Sequence, residues 1–308
     1  MATHETQVVV TVSLGHARSE TEHRRPEPVD LLGMPVHPVG FEQAVRLLLD
    51  LARGDRPAYV VTANVDHLVR FSRCAQVRDL YTQADLVLAD GMPLVWASRL
   101  LNVPLPERVS GSDLFPRLCA EAAEHCLSVF LLGGAPGTAK QAVNAMTRRH
   151  PKLRVVGTYC PDYGFEHDAV ESARVIDVIR EAEPDILFVG LGSPKQERWI
   201  LANRDACGAR LNIGVGISFS FVCGAVTRAP RWMRSSGLEW LHRLVQEPGR
   251  LWKRYLVQDL SFFPLVAREL LRKPFTQRRA RRSAAEPPLP LPSDGRHGRL
   301  FHSKGPRP

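Results

Sequence analysis

Apolar and polar positions alternate along most of this chain in a way that predicts strands and helices in turn. Short β-branched runs predict buried strands, and the stretches between them repeat apolar residues every three or four positions, as amphipathic helices do. Strands are expected at 29–36, 58–61, 86–89, 128–132, 153–158, 185–189 and 210–215. Helices are expected at 41–53, 65–83, 94–101, 112–125, 139–150, 168–182 and 196–205.

This alternation predicts an α/β, Rossmann-like fold, in which a mostly parallel sheet is covered by helices on both faces. Residues 1–29 are expected to form a flexible leader and residues 30–227 the α/β core. Residues 228–273 are expected to form a basic amphipathic helical appendage. Residues 274–308, which are rich in Pro and Arg, are expected to form a disordered tail.

The charge of the chain is concentrated near its C-terminus. The whole chain has a formal net charge of +9, whereas residues 228–282 hold 14 Lys and Arg against four Asp and Glu. Trp and Leu alternate with these cations, which is typical of a segment that lies on an anionic membrane surface. Two alternatives stay open: aromatics packed into the core with solvated charges outside, and nucleic-acid binding. The second is disfavoured by the large apolar face and the lack of a binding motif.

Length and composition fit a soluble enzyme. The chain has 308 residues, 44% of them hydrophobic, with no apolar run long enough to predict a spanning helix. The first 30 residues lack the apolar stretch of a secretory signal, so a cytoplasmic location is expected. The six cysteines show no paired metal-ligand spacing, which predicts reduced, buried thiols and no metal site.

A glycine-rich loop suggests an anion as the first ligand. Gly133, Gly134 and Gly137, with Pro136, lie between a predicted strand and a predicted helix. Backbone N–H groups and the positive helix end can there meet a diphosphate. The loop matches neither the Walker A pattern nor the dinucleotide glycine spacing, so a nicotinamide or flavin cofactor is weakly supported. A tight turn without a ligand is the alternative.

Asp90 is the best candidate for proton chemistry. It follows an apolar strand and precedes Gly91, where a carboxylate can be partly desolvated beside a bound hydroxyl. A helix N-cap is the alternative for Asp90, and Asp85 fits a turn or cap residue better. Thr62 and Asn64, at the end of the preceding strand, offer neutral groups that orient sugar hydroxyls or a nucleobase.

Two more segments place charged or amide groups at strand-to-helix junctions. Lys195 and Gln196 follow Pro194 at a helix start, which suits an anionic or polyhydroxyl ligand. Solvated first-turn charges are the alternative for Lys195 and Glu197. Arg108 precedes a turn of small residues, where it either binds phosphate or forms a surface ion pair with Glu107 or Asp113.

Taken in order, these segments resemble the WecG/TagA/CpsF family of bacterial glycosyltransferases. The resemblance extends from about Leu31 to Phe263. It rests on TAN at 62–64, ADLVLADG at 84–91, PLPERVSGSDL at 104–114, FLLGGAPG at 130–137, PDILFVGLGSPKQE at 184–197 and RAPRW at 228–232. Each motif alone is weak, but the ordered set is highly specific.

The resemblance implies inverting transfer of a hexose or N-acetylhexosamine from a UDP-sugar to a polyprenyl-diphosphate-linked saccharide, in cell-surface polysaccharide synthesis. The reaction would occur at the inner face of the cytoplasmic membrane and require no metal or other cofactor. The family's proposed base matches Asp90, its pocket residues match Thr62 and Asn64, and its arginine and glutamine match Arg108 and Gln196. A homo-oligomer is left open.

The basic segment adds further candidates for binding diphosphate. Arg228, Arg231 and Arg234 come soon after the predicted sheet, so we expect them to reach the acceptor or the leaving diphosphate.

The chain departs from the family at one position. It reads GVGISFS at 214–220, so Ser220 stands where the family usually has an acidic residue. That change puts in doubt any donor contact made there.

Two other functional classes stay open at this point. A nucleotide-sugar oxidoreductase of the NAD type would bind NAD as well as UDP. A nonenzymatic basic binding protein would show salt-sensitive nucleic-acid affinity and release no UDP.

Overall fold

The computed structural model describes residues 25–272 and has the predicted α/β architecture. A six-stranded parallel sheet has the order β4-β3-β8-β7-β5-β6, and a two-stranded antiparallel sheet, β1-β2, lies beside it. The strands are β1 (Val29–Leu31), β2 (Met34–Val36), β3 (Ala58–Ala63), β4 (Leu86–Ala89), β5 (Ser128–Gly133), β6 (Arg154–Tyr159), β7 (Ile186–Gly190) and β8 (Leu211–Gly214).

Helices cover both faces of the large sheet, as predicted. They are α1 (Phe41–Arg53), α2 (Val65–Arg73), α3 (Ala75–Thr82), α4 (Met92–Leu100), α5 (Gly111–Glu124), α6 (Thr138–Arg149), α7 (Ala169–Ala182), α8 (Lys195–Cys207), α9 (Ser218–Val222), α10 (Arg231–Ser235), α11 (Glu239–Gln246) and α12 (Pro248–Lys253). Apolar residues of α1, α5, α6 and α9 form one buried cluster on one face. Those of α2, α3, α4, α7 and α8 form a second cluster on the other.

Side-chain alternation in the strands explains why both faces are apolar. Tyr59 and Val61 of β3 belong to one cluster, whereas Val60 between them belongs to the other. All six residues of β3 are buried, because a parallel strand in the middle of a sheet has no solvent-facing side.

Two predicted elements were wrong in detail. The strand expected at 29–36 is a hairpin of β1 and β2, since Leu32 and Gly33 both have positive φ and turn the chain. The helix expected at 65–83 is two helices, because Cys74 is extended (φ −129°, ψ 116°). The short helix α9 and a 3₁₀ turn at Phe165–His167 were not predicted.

The cysteines also differ from the expectation of buried thiols. All six are free, and Cys119 and Cys207 are buried, but Cys126 and Cys160 are exposed.

The segment after Arg228 is helical, as predicted, but broken into short pieces. After α10, α11 and α12 come a π turn at Arg254–Gln258, a 3₁₀ turn at Asp259–Ser261 and a helix from 262 through 272. Helices α10 and α11 bury no residue, whereas Phe262 and Val266 belong to the cluster under α2, α3 and α4. Within residues 25–272, no helix combines the length and apolar character that crossing a membrane requires.

Of the leader expected at 1–29, residues 1–24 lie outside the described residues. The tail expected at 274–308 lies wholly outside them. Both remain predictions.

Candidate active site

The candidate site lies at the carboxyl ends of β3 and β4. Asp90 follows β4 directly, and its backbone N–H donates to the carbonyl of Ala63 at the end of β3 (2.7 Å). Its Oδ2 accepts a hydrogen bond from the N–H of Gly111, which begins α5 (3.2 Å). Gly91, not Asp90, occupies the N-cap of α4, and no side chain caps that helix. The N-cap alternative for Asp90 is therefore wrong, and its carboxylate faces the loop before α5.

The surroundings of Asp90 favour its protonated form more than water does. Burial raises the pKa of its carboxyl, Arg108 opposes that effect, and the negative charge of Glu239 adds to it. The net result is a pKa above the ordinary value for aspartate, in a residue that is half-buried as a whole. A carboxylate with a raised pKa is better matched to accepting a proton near neutral pH.

Three arginines and two carboxylates form a cluster beside Asp90. Asp113 of α5 accepts from Arg108 (2.8 Å), Arg228 (2.7 Å) and Arg234 (3.2 Å). Glu239 of α11 pairs with Arg108 (2.7 Å) and, more loosely, with Arg228 (3.5 Å). The sequence analysis considered Asp113 only as a surface partner of Arg108 and missed Glu239. We call these five residues the arginine cluster.

The arginine cluster is suited to hold an anion. Burial raises the pKa of Asp113, but the guanidinium of Arg228 and the charges of Arg108 and Arg234 more than offset it, so its pKa is lowered. Both carboxylates are thus paired, and three cations leave one net positive charge. Nε and Nη2 of Arg228 are buried and donate no hydrogen bond within the described region, although Nε lies 3.5 Å from Oε1 of Glu239. Such unused guanidinium donors can bind a phosphate group.

The structure separates the three arginines that the basic segment contributed as candidates. Arg228 and Arg234 join the arginine cluster, but Arg231 is exposed at the start of α10. Glu107, offered as a partner of Arg108, instead accepts from the N–H of Phe41 (2.7 Å).

Thr62 and Asn64 lie at the end of β3 and make internal contacts. The hydroxyl of Thr62 donates to the carbonyl of Gly214 in β8 (3.2 Å), and the side chain is buried. Asn64 caps α2, its Oδ1 accepting from the N–H of His67 (3.4 Å). Arg254, from the π turn, also donates to that oxygen (3.3 Å) and pairs with Asp66 (3.5 Å). Both candidates therefore already have hydrogen-bond partners within the protein.

Gln196 and Glu197, at the start of α8, are buried rather than solvated. Gln196 donates through Nε2 to Glu197 Oε1 (2.8 Å) and accepts through Oε1 from the N–H of Gly216 (3.2 Å). Glu197 also pairs with Nε2 of His67 (3.4 Å). The reading of Glu197 as a solvated first-turn charge was therefore wrong. The sequence analysis did not select His67, although its position three residues after Asn64 is the reciprocal position of a capping box.

Lys195 lies apart from the arginine cluster. Its Nζ pairs with Glu166 (2.6 Å), in the loop after β6, and lies 5.0 Å from the ring centre of Tyr163. The solvated-charge interpretation of Lys195 was also wrong, since three quarters of the side chain is covered.

The glycine loop follows β5 and is shaped by close packing. Gly133, Gly134 and Gly137 all have positive φ, and Gly137 begins α6 in a left-handed conformation. A Cβ on Gly133 would lie 2.7 Å from Leu191 Cδ2, and a Cβ on Gly134 would lie 2.6 Å from Thr138 Oγ1. These contacts explain two glycines without a ligand, while the start of α6 remains available to an anion.

Sheet order sets the spacing between the two anion candidates. Asp90 follows β4, at one edge, and Gly133 ends β5, four positions away in the strand order. Adjacent strands lie about 4.8 Å apart, so the two are separated by roughly 19 Å. Thr62, Gly214 and Gln196 lie between them, so an extended ligand could touch both ends.

Ser220 belongs to α9, below this edge. Its side chain is largely buried, and the preceding residue of the same helix, Phe219, packs against Gly134 and Gly190. The described part of the chain holds no group of three or more His, Cys, Asp or Glu side chains placed to bind a metal ion.

Comparison with known proteins defines the class of enzyme. The description "Glycosyl transferase WecG/TagA/CpsF family" matches residues 29–276. The chain therefore belongs to this family of glycosyltransferases, and the oxidoreductase and nonenzymatic interpretations are set aside.

Relatives of known activity are similar over most of the core. An N-acetylglucosaminyldiphosphoundecaprenol N-acetyl-β-D-mannosaminyltransferase of Bacillus subtilis is 35% identical over 178 residues, which cover 58% of this chain and 67% of the relative. Proteins of the same description from Bacillus spizizenii and Staphylococcus aureus MW2 are each 32% identical. The matches cover 66% and 64% of this chain, and 76% and 73% of those relatives.

Proposed function

We propose that this glycosyltransferase moves a sugar from a UDP-sugar to a polyprenyl-diphosphate-linked saccharide, with inversion at the anomeric carbon. The observation that carries the proposal is the position of Asp90, a carboxylate of raised pKa, next to the arginine cluster. The relatives' names supply the acceptor class, a diphosphoundecaprenol-linked N-acetylglucosamine, and N-acetylmannosamine as the transferred sugar. The pathway is the synthesis of a cell-envelope polysaccharide.

The chemistry requires a base on one face of the sugar and groups of positive charge or positive dipole for the leaving UDP on the other. Asp90 accepts the proton of the acceptor hydroxyl as that oxygen bonds to the anomeric carbon. The bond from that carbon to the UDP oxygen breaks on the opposite face, and UDP leaves with the electron pair. Arg108 and Arg228, beside Asp90, are assigned to the diphosphate of the acceptor, and the N–H groups at the glycine loop and the start of α6 to the diphosphate of the leaving UDP, so the proposed step is written without a metal ion or other cofactor.

The donor and the acceptor are assigned to different parts of the carboxyl edge of the sheet. A UDP-sugar that extends from the glycine loop toward Asp90 would cover roughly the 19 Å between them. Gln196, Thr62 and Lys195 line this course, and the acceptor approaches from the side of α10 and α11.

The first experiment tests the transfer itself. Purified full-length protein is incubated with UDP-N-acetylmannosamine, UDP-N-acetylglucosamine or UDP-glucose and a diphosphate-linked N-acetylglucosamine on a short polyprenyl chain. We expect one donor to yield a disaccharide, detected by mass, with a β linkage from an α-linked donor, without added metal and in the presence of EDTA. Absence of product with every UDP-sugar, or retention of configuration, would contradict the proposal.

The proposed membrane contact is the outer side of the appendage. Large apolar side chains are exposed there beside the cations: Trp232, Trp240, Leu241, Val245, Trp252, Leu256, Val257, Leu260 and Phe263. This exposure does not fit the alternative in which the aromatics form core. We propose that the protein binds the inner face of the cytoplasmic membrane through this surface, so that the lipid-linked acceptor reaches the arginine cluster from the bilayer.

Replacing two exposed tryptophans should weaken membrane binding. We expect Trp232→Ser with Trp252→Ser to reduce pelleting with phosphatidylglycerol vesicles by about tenfold or more, because each buried indole contributes a large apolar area. UDP affinity should be unchanged. Val170→Ser removes an apolar side chain from α7 that is more exposed than either tryptophan, and it is the control outside the appendage. Equal vesicle binding by all three proteins would refute the surface.

A further inference from the structure

A buried pair of side chains lies behind the proposed base. His67 of α2 and Glu197 of α8 are both almost fully buried, with Nε2 and Oε1 3.4 Å apart. Neither side chain belongs to the arginine cluster, and neither reaches solvent. A buried carboxylate is costly unless it is paired, so Glu197 depends on its buried partners.

The ionised form of Glu197 is favoured in the folded protein. Burial acts to raise its pKa, but the hydrogen bond and charge of His67 and the amide of Gln196 outweigh burial. The pKa of Glu197 is therefore lowered. Its place in the first turn of α8 also favours a negative charge.

From Glu197, contacts lead to the middle of the sheet edge. Gln196 donates to Glu197 and accepts from the N–H of Gly216, so its amide is fixed at both ends. It lies directly on β8, since a Cβ on Gly214 would come within 2.6 Å of its Nε2. The orientation of Gln196 thus sets the path of residues 214–216.

From Gly214, the contacts continue to the proposed base. The Gly214 carbonyl accepts from the hydroxyl of Thr62 (3.2 Å). Thr62 packs against Gly111, where an added Cβ would lie 3.0 Å from Oγ1. The Gly111 N–H donates to Oδ2 of Asp90 (3.2 Å). Each link is one hydrogen bond or one close contact, and all lie on buried or half-buried atoms.

We propose that His67 and Glu197 are positioning residues: the pair fixes Gln196 and, through Gly214, Thr62 and Gly111, holds the carboxylate of Asp90 for the proposed transfer. The inference rests on the proposed function for the reaction in which Asp90 acts, whereas the contacts themselves do not depend on it. It is distinct from stabilisation of the fold, because it predicts loss of turnover in protein that remains folded.

His67 contacts two partners, and two isosteric variants separate them. Its Nδ1 lies 2.7 Å from Oδ1 of Asn64, whereas its Nε2 faces Glu197. An asparagine reproduces the position of Nδ1 and a glutamine that of Nε2. His67→Asn therefore removes the donor to Glu197, and His67→Gln retains it.

The experiment measures kcat and the KM values for donor and acceptor at a temperature well below unfolding. It also measures the rate of backbone amide hydrogen exchange at Gly111 and Gly216. We expect His67→Asn and Glu197→Ala to lower kcat by about tenfold to 100-fold, with acceptor KM changed less than threefold, because a small misplacement of a reacting group has effects of this size. Exchange at both glycines should accelerate. His67→Gln and Glu197→Gln, which keep the donor and the acceptor, should remain within about threefold of wild type.

The control is Ser128→Ala, which breaks a half-buried hydrogen bond to Asp185 (2.8 Å) at the amino end of the sheet, away from the site. It should lower the melting temperature and leave kcat unchanged. The inference is overturned if His67→Asn and Glu197→Ala retain kcat, or if exchange at Gly111 stays at the wild-type rate. If Glu197→Ala does not fold, the comparison of kcat between His67→Asn and His67→Gln is sufficient to test the inference.

Failure of the proposed function looks different. In that case wild-type protein forms no product, while exchange at Gly111 and Gly216 still reports whether the pair controls the loop. Coupled exchange would then support the positioning role for another reaction, and uncoupled exchange would overturn it.

Discussion

Replacing Asp90 with asparagine is expected to lower turnover by about 100-fold or more. Asparagine preserves the shape of the side chain and an oxygen to accept from Gly111, but it cannot take the proton of the acceptor hydroxyl. UDP affinity, measured by titration calorimetry, should change little. Turnover within a few-fold of wild type would exclude Asp90 as the base.

The pH dependence provides a second test of Asp90. Because its pKa is raised in the folded protein, the base form is lost on acidification at a higher pH than for an ordinary aspartate. The acid limb of kcat/KM should therefore lie above the normal aspartate range and disappear in Asp90→Asn. A raised pKa also means that ionised Asp90 destabilises the fold as pH rises through that value. The variant should consequently melt at the same or a higher temperature than wild type at neutral pH.

Arg228→Ala is expected to lower kcat/KM for the lipid-linked acceptor by about 100-fold. It removes a buried guanidinium whose Nη2 donates to no described residue, and with it the charge that would meet a diphosphate. Steady-state kinetics on a short-chain acceptor, in the absence of membranes, separate this effect from vesicle binding.

Two arginine variants act as controls for Arg228. Arg228→Lys keeps the charge but loses the forked geometry, so it should recover only part of the activity. Arg231→Ala removes an exposed neighbour outside the arginine cluster and should leave soluble-acceptor kinetics within about threefold. An equal loss at Arg231, or full activity in Arg228→Ala with only a lower melting temperature, would contradict the assignment.

The sheet could be predicted from sequence because its signal is local. Each strand is a buried apolar run that ends at a polar or glycine residue, and the expected strand at 86–89 matches β4 residue for residue. The apolar pattern did not reveal the hairpin turn at Leu32 and Gly33 or the break at Cys74, since each depends on the backbone conformation of one or two residues.

The site was less predictable because its contacts are distant in sequence. Asp90 could be selected from its strand, but Glu239 lies 131 residues from the Arg108 that it pairs with. His67 and Glu197 looked like ordinary helix residues, and only tertiary packing buries them together. Arg231 and Arg234 lie in the same basic stretch of sequence. Only the folded helix α10 distinguishes them, because it exposes Arg231 and brings Arg234 to Asp113.

The segment after Arg228 is fastened to the core at both of its ends. Arg228 is held by Asp113 at one end, and Phe262 and Val266 are buried at the other, with Arg254 tied to Asn64 and Asp66 between them. A chain anchored this way cannot swing as a tether does. Its apolar outer surface would fix the tilt of the whole enzyme on a bilayer, so the depth at which the arginines meet a lipid's diphosphate would be set by the architecture rather than by chance encounter.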